Sequence, residues 1–224
     1  MQVGIADARG EEWRQLKRLA ARPFSLLNIK KNIPMFNKGF KDMVDYLELQ
    51  AKSDVAVDGT EFIKKLAINM IAYIGFGLEV NSYKDANSEF RKQANQMVEV
   101  WRFLLITLIC PVACFFKLSS WNPESVKFYE MIGKKAVEAR KMGKEGGKDI
   151  LGALIKMSEE EPDVMTPEML KFTLLNLIVD GYNTIADVAT NLFYLLAVNP
   201  EVQTKLQSEI DEVFDAKDDG MYIN

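Results

Sequence analysis

The chain has 224 residues, 48% of them apolar and 27% charged, a globular balance with enough length for one large domain or two small ones. Twenty-eight basic side chains against 32 acidic ones leave a net charge of −4, with both signs interspersed, so there is no basic stripe for nucleic acid and no polybasic anchor for lipid. Histidine is absent, which excludes serine–histidine and cysteine–histidine nucleophile pairs, histidine metal sites and imidazole ligands to iron.

From the N-terminus, residues 1–9 contain no apolar core of the signal-peptide kind, so neither a signal peptide nor a membrane anchor is expected there. Helical periodicity dominates the chain and strand alternation is nearly absent, which predicts an all-α fold without an obvious second domain. Eight helices are expected, over residues 11–25, 36–52, 59–76, 87–107, 123–142, 149–160, 166–198 and 200–214. Three of the starts share one device: Asn122-Pro123-Glu124, Thr166-Pro167-Glu168 and Asn199-Pro200-Glu201. In each, a capping side chain can take an orphan N–H, proline fills the first turn and glutamate faces the positive end of the helix dipole.

The apolar stretch from Phe103 to Phe116 is too short to cross a bilayer and is interrupted by Pro111; it is expected to be buried or to rest on a membrane surface. It contains the two cysteines, Cys110 and Cys114, which fit a reduced, intracellular setting better than a disulfide scaffold and pack as small hydrophobes. Trp101, Phe103, Phe115, Phe116 and Trp121 read either as core packing or as the lining of a lipophilic pocket or membrane contact. The stretch 143–148, rich in glycine and lysine, reads as a surface turn, because it lacks the glycine-lysine-serine/threonine ending of a phosphate loop. Gly75-Phe76-Gly77 lacks the third glycine of a dinucleotide fingerprint.

The helix from Thr166 to Val198 is the informative one, spanning about 50 Å at 1.5 Å per residue. Leu174, Leu175, Leu177, Ile178 and Val179 precede its middle, and Leu192, Phe193, Leu195 and Leu196 follow it, so it is expected to run through a protein interior. Yet its centre reads Asp180-Gly181-Tyr182-Asn183-Thr184. Glycine inside a helix costs roughly 1 kcal/mol against alanine, and buried polar side chains cost more unless each finds a partner. Two readings account for it. Glycine lets a ligand approach the backbone while threonine offers it a hydroxyl, or two helices cross there with a local polar network.

The segment from Val179 to Ile185 resembles the distal helix of cytochromes P-450, with Gly181 and Thr184 matching the family pattern. The run from Leu195 through Asn199-Pro200-Glu201 to Val213 resembles the family's next helix, and Gly10-Glu11-Glu12-Trp13-Arg14-Gln15-Leu16-Lys17-Arg18 resembles the helix whose tryptophan and basic residue bind the haem propionates. Phe76-Gly77-Leu78-Glu79 and Asp149-Ile150-Leu151 stand in the expected order between them. The resemblance covers about residues 10–214, a single partial domain of the animal microsomal type. It implies that Trp13 and Lys17 hold propionates, that Gly181 opens a groove for dioxygen and that Thr184 helps deliver protons to it. Trp13 and Lys17 lie one helical turn apart, on the same face. Lysine supplies charge there, though without the planar fork of the more usual arginine. Taken alone, that helix also reads as an amphipathic helix with a buried tryptophan.

Two positions depart from the family pattern. Asp180 replaces a small residue that faces the haem, and Asn183 stands where an acid often assists proton relay. An ionised carboxylate over a porphyrin is costly to desolvate, so Asp180 is protonated, turns away, or alters oxygen activation. The family's cysteine ligand lies in a late glycine-rich loop, and no match to it occurs before Asn224. The resemblance therefore implies a haem monooxygenase that inserts one oxygen atom of O2 into a small lipophilic substrate. Electrons would come from NADPH through a reductase, at the cytoplasmic face of the endoplasmic reticulum membrane for a complete parent, and the 224 residues alone are expected to be inactive. The alternative is a non-enzymatic helical module that binds a lipophilic ligand or a partner.

Overall fold

The computed structural model describes residues 9–53, 56–85, 87–108, 121–143 and 149–213. Among these residues the regular structure is helical, with no strand and one isolated antiparallel bridge between Val98 and Trp121. The all-α expectation holds. In chain order the helices are α1 (Gly10–Ala21), α2 (Leu26–Lys31), α3 (Ile33–Lys52), α4 (Gly59–Phe76), α5 (Glu89–Gln96), α6 (Val100–Leu108), α7 (Pro123–Lys141), α8 (Ile150–Glu160), α9 (Pro167–Val198) and α10 (Pro200–Val213). Cys110, Cys114, Phe115 and Phe116 lie outside the described residues, as does the stretch 144–148.

Local chemistry sets most of the ends. Asn122 accepts from the backbone N–H groups of Glu124 and Ser125, and the Thr166 hydroxyl accepts from that of Met169 at 3.2 Å. At Asn199 the side-chain amide donates backward to the Leu195 carbonyl at 2.8 Å. With one residue separating two helices, this side chain serves the end of α9, whose last carbonyls are otherwise orphans. Two further expectations are corrected. The helix expected over 11–25 stops at Ala21, because Pro23 disfavours helical backbone in the residue before it, and α2 begins anew at Leu26. The helix expected over 87–107 divides into α5 and α6 where Val98 pairs with Trp121 and the Asn122 N–H donates to the Met97 carbonyl at 2.9 Å.

At the centre α4 crosses α9. Ile68, Ala72 and Phe76 of α4 are fully buried. A buried row on α9 repeats every four residues, Leu170, Leu174, Ile178, Tyr182 and Ala186, with Leu174 against Gly133 of α7 and Tyr182 reaching α5. The two helices meet through reciprocal glycines. A β-carbon at Gly75 would stand 3.3 Å from Leu177 Cδ1, and one at Gly181 would stand 3.3 Å from Ile71 Cδ1. Each helix thus offers a glycine to a branched side chain of the other, one turn away from its own projecting residue.

A second lock joins the far ends of α4, α7 and α8. Gly77 ends α4 in the left-handed region at φ 66°, and the Leu78 N–H reaches back to the Ala72 carbonyl at 2.9 Å. Against Gly77 lies the ion pair of Arg140 with Asp149, one limb of which measures 2.9 Å; the two side chains are 6% and 2% exposed. A β-carbon at Gly77 would collide with the guanidinium. Asp149 also accepts from the Gly152 N–H at 2.9 Å, capping α8.

The interior path expected for α9 holds only up to Ala186. Beyond it Val188, Leu192, Leu195 and Val198 are about half exposed or more, as are Val202 and Ile210 of α10. One side of the long helix is therefore an uncovered apolar surface among the described residues.

Asp149→Ala removes one member of a buried, doubly bonded pair and a cap together. The expected loss is about 3–5 kcal/mol of unfolding free energy, measured by urea titration; a loss below about 1 kcal/mol contradicts the lock.

Candidate functional site

One face of α9 lines a pocket of about 400 Å³, within the range of small-molecule sites, and reaches the α4 crossing at Leu177 and Gly181. Its α9 wall is built at helical spacing, with Met169, Thr173, Leu177 and Asp180, Gly181 and Thr184 in successive turns. Leu16 of α1, Phe24 and Met165 form the opposite side. Leu16 is 6% exposed and Met165 2%. Arg22, just past α1, pairs with Glu161 at 2.5 Å, tying that wall to the turn before α9.

Of the residues singled out from the sequence, Asp180, Gly181 and Thr184 come together at the pocket wall. Asn183 is half-buried and is not among the pocket-lining residues. Trp13 and Lys17 are exposed on α1, on either side of Leu16 in sequence, and the Lys17 ammonium stands 4.5 Å from the centre of the Trp13 ring. Trp13 is 38% exposed, so it is not the buried tryptophan of an amphipathic core helix. The pair presents two hydrogen-bond donors on one turn, and the cation–π contact holds them together.

Gly181 fits both readings of the polar break. It borders the pocket, yet the space freed by its missing β-carbon is filled by Ile71. The close approach it permits is that of α4. The Thr184 hydroxyl donates to the carbonyl of Asp180 one turn earlier. Its hydrogen is thereby spent within the helix, leaving the oxygen as an acceptor toward the pocket.

Asp180 is the one ionisable side chain among the pocket-lining residues. It is exposed by area, yet partial burial against the apolar wall pushes its carboxyl above the usual carboxylate range. Tyr182 is fully buried on the other side of α9, and its hydroxyl donates to Asn95 Oδ1 of α5 at 2.7 Å. Burial, reinforced by the charge of Glu61 and opposed by Arg91, pushes Tyr182 up to about 12. It is therefore a neutral donor across the physiological range.

The apolar walls and the contact of Tyr182 with Asn95 escaped the sequence reading. Counting back by three and four from Thr184 through Asp180 and Leu177 to Thr173 and Met169 would have found the α9 wall. Nothing local points to a partner 87 residues away.

The fold and pocket define an all-α protein with a largely apolar small-molecule site built on one long helix broken by a polar segment. Residues 1–222 match the family model described as Cytochrome P450, and the chain belongs to that family. It is 24% identical to Cytochrome P450 3A41 of Mus musculus over 97% of this chain and 46% of the mouse protein. Identity to Cytochrome P450 9b2 of Drosophila melanogaster is 22% over 93% of this chain and 43% of the fly protein. With Cytochrome P450 734A1 of Arabidopsis thaliana it is 27%, over 96% and 42%. The chain spans a little less than half the length of these curated relatives.

The raised Asp180 carboxyl means that the folded chain holds a proton where the unfolded chain has lost it, so stability falls as pH rises through that window. Asp180→Asn removes this penalty. Its urea midpoint should gain on the parent's as pH rises above the ordinary carboxylate range; a difference that does not change with pH contradicts the assignment.

Proposed function

We propose that this chain supplies the distal side of a haem-dependent monooxygenase that inserts one oxygen atom of O2 into a small lipophilic molecule, with electrons delivered from NADPH through a reductase. The single observation that carries the reading is the placement of Gly181 and Thr184 on the wall of an apolar pocket faced by α1, in a chain that matches the cytochrome P450 family over residues 1–222.

The residues present suit haem. Its two propionates are anions, and Trp13 and Lys17 offer an indole N–H and an ammonium on the turn that carries Leu16 into the pocket. Leu16, Met165 and Met169 supply apolar surface for a flat macrocycle. Haem, held by a thiolate, supplies the activation of O2. Thr184 donates its hydroxyl hydrogen to the Asp180 carbonyl and so offers its oxygen as an acceptor beside the pocket. Partial burial raises the Asp180 carboxyl above its ordinary value, because the apolar wall disfavours the charged form. Cys110 and Cys114 are read as hydrophobes and not as the thiolate ligand, so the 224 residues by themselves do not turn over.

A complete parent is proposed to lie at the cytoplasmic face of the endoplasmic reticulum membrane, in peripheral contact through the region from Phe103 to Phe116. Support comes from α6, where Trp101, Leu104, Leu105 and Leu108 form an exposed apolar stripe at helical spacing. Trp101 is 64% exposed, whereas Trp121 packs on Phe172. Among the described residues no helix is long and apolar enough to cross a membrane.

The second reading, a helical module that binds a ligand or partner without haem, draws on Asp180, a carboxyl where a porphyrin would need a small neutral neighbour. Ferric haem titration of the purified chain separates the two. The monooxygenase reading expects weak binding, lowered about tenfold by Lys17→Gln through loss of a charge-assisted hydrogen bond, and no thiolate-type Soret band in the ferrous carbon monoxide complex. Absence of haem binding favours the second reading, and a strong thiolate band overturns the assigned inactivity.

A further inference from the structure

We infer that the hydrogen bond from Tyr182 to Asn95 is a rotational pin, setting which face of α9 is presented to the pocket, and that both are positioning residues for the site. The inference concerns the shape of the pocket and stands whether or not the pocket takes haem.

The buried row of α9 at Leu170, Leu174, Ile178, Tyr182 and Ala186 is apolar apart from one hydroxyl. Apolar burial is non-directional, and a row spaced by fours drifts around the helix, since four residues exceed one turn by about 40°. Such a face, packed toward α7 at Leu174 and toward α5 at Tyr182, can settle in neighbouring rotations with similar burial. A hydrogen bond cannot, because it weakens steeply off its preferred angle. Tyr182 donates to Asn95 Oδ1 at 2.7 Å, from a ring that is fully buried, to a residue of another helix 87 positions away. Leaving that hydroxyl unpaired in the core is costly, so the rotation that satisfies it is selected.

The selected rotation is the one that matters at the pocket. Tyr182 lies two residues from both Asp180 and Thr184, about 200° around the helix from each. With the hydroxyl held on Asn95, Asp180 and Thr184 must face the opposite way, and both line the pocket. The reciprocal glycines at the α4 crossing leave room for close approach but have no polar group to choose an angle. Tyr182 and Asn95 supply that choice.

The test uses single-cysteine reporters on the two flanks of Thr184, Asn183→Cys and Ile185→Cys, in the full chain with Cys110→Ala and Cys114→Ala. Their alkylation rates with iodoacetamide are compared across Tyr182→Phe, Asn95→Ala, the double variant and Asn95→Asp. A rotation uncovers one flank as it covers the other, whereas simple loosening speeds both. The expected result is opposite changes at the two reporters, with their ratio altered about fivefold by either single variant. The double variant should go no further, and Asn95→Asp, which keeps the acceptor, should return the ratio to the parent value. Asn95 is exposed, so its variants test the pin without a cavity in the core. Rates that rise together, or that stay unchanged while stability falls, overturn the proposal.

Discussion

The close crossing of α4 and α9 is the constraint on which the rest of the molecule depends. Gly75 receives Leu177, and Gly181 receives Ile71. Each glycine costs its own helix roughly 1 kcal/mol of propensity, and both lie where a β-carbon would press on the facing helix. The return is dense packing between two long helices, which dispersion and apolar burial reward in proportion to the contact. Leu177 and Gly181, which border the pocket, lie at that crossing.

Function and packing share the same few residues here. The segment from Asp180 to Thr184 divides its side chains around the helix. Gly181 admits α4, Tyr182 reaches α5, and Asp180 and Thr184 border the pocket. A polar break in an apolar helix therefore has two causes at once, and the ligand-binding reading does not displace the helix-crossing one. The same economy is seen at Gly77, whose left-handed turn ends α4 and also makes room for the pair of Arg140 with Asp149. In the sequence the segments around Gly77 and Asp149 are two separate weak signals; in the fold they touch.

Much of the fold was legible because its signals are local. The α4 boundaries agree with the apolar period from Gly59 to Phe76, and the Asn122 and Thr166 caps work as their side chains suggest. Errors arose where tertiary pairing or a neighbouring helix competes. The bridge of Val98 with Trp121 breaks a helical pattern that is continuous in sequence, and Asn199 turns its amide to the helix behind it. Pro23 was a readable stop that the apolar period obscured. At the site, Gly181 and Thr184 could be read from pattern, but the walls from α1 and the turn before α9 are assembled only by folding. The bond of Tyr182 to Asn95 has no sequence signature at all. The uncovered half of α9 follows from an apolar run with no facing helix among the described residues.

Native-state hydrogen exchange along α9 addresses the central claim most directly, because it reads how firmly each turn is held. If the glycine crossing anchors the molecule, the amides from Leu174 to Ala186 exchange only through global unfolding, while those from Leu192 into α10 exchange orders of magnitude faster through local opening. Uniform protection along the whole helix, or slower exchange in its exposed half, contradicts the account.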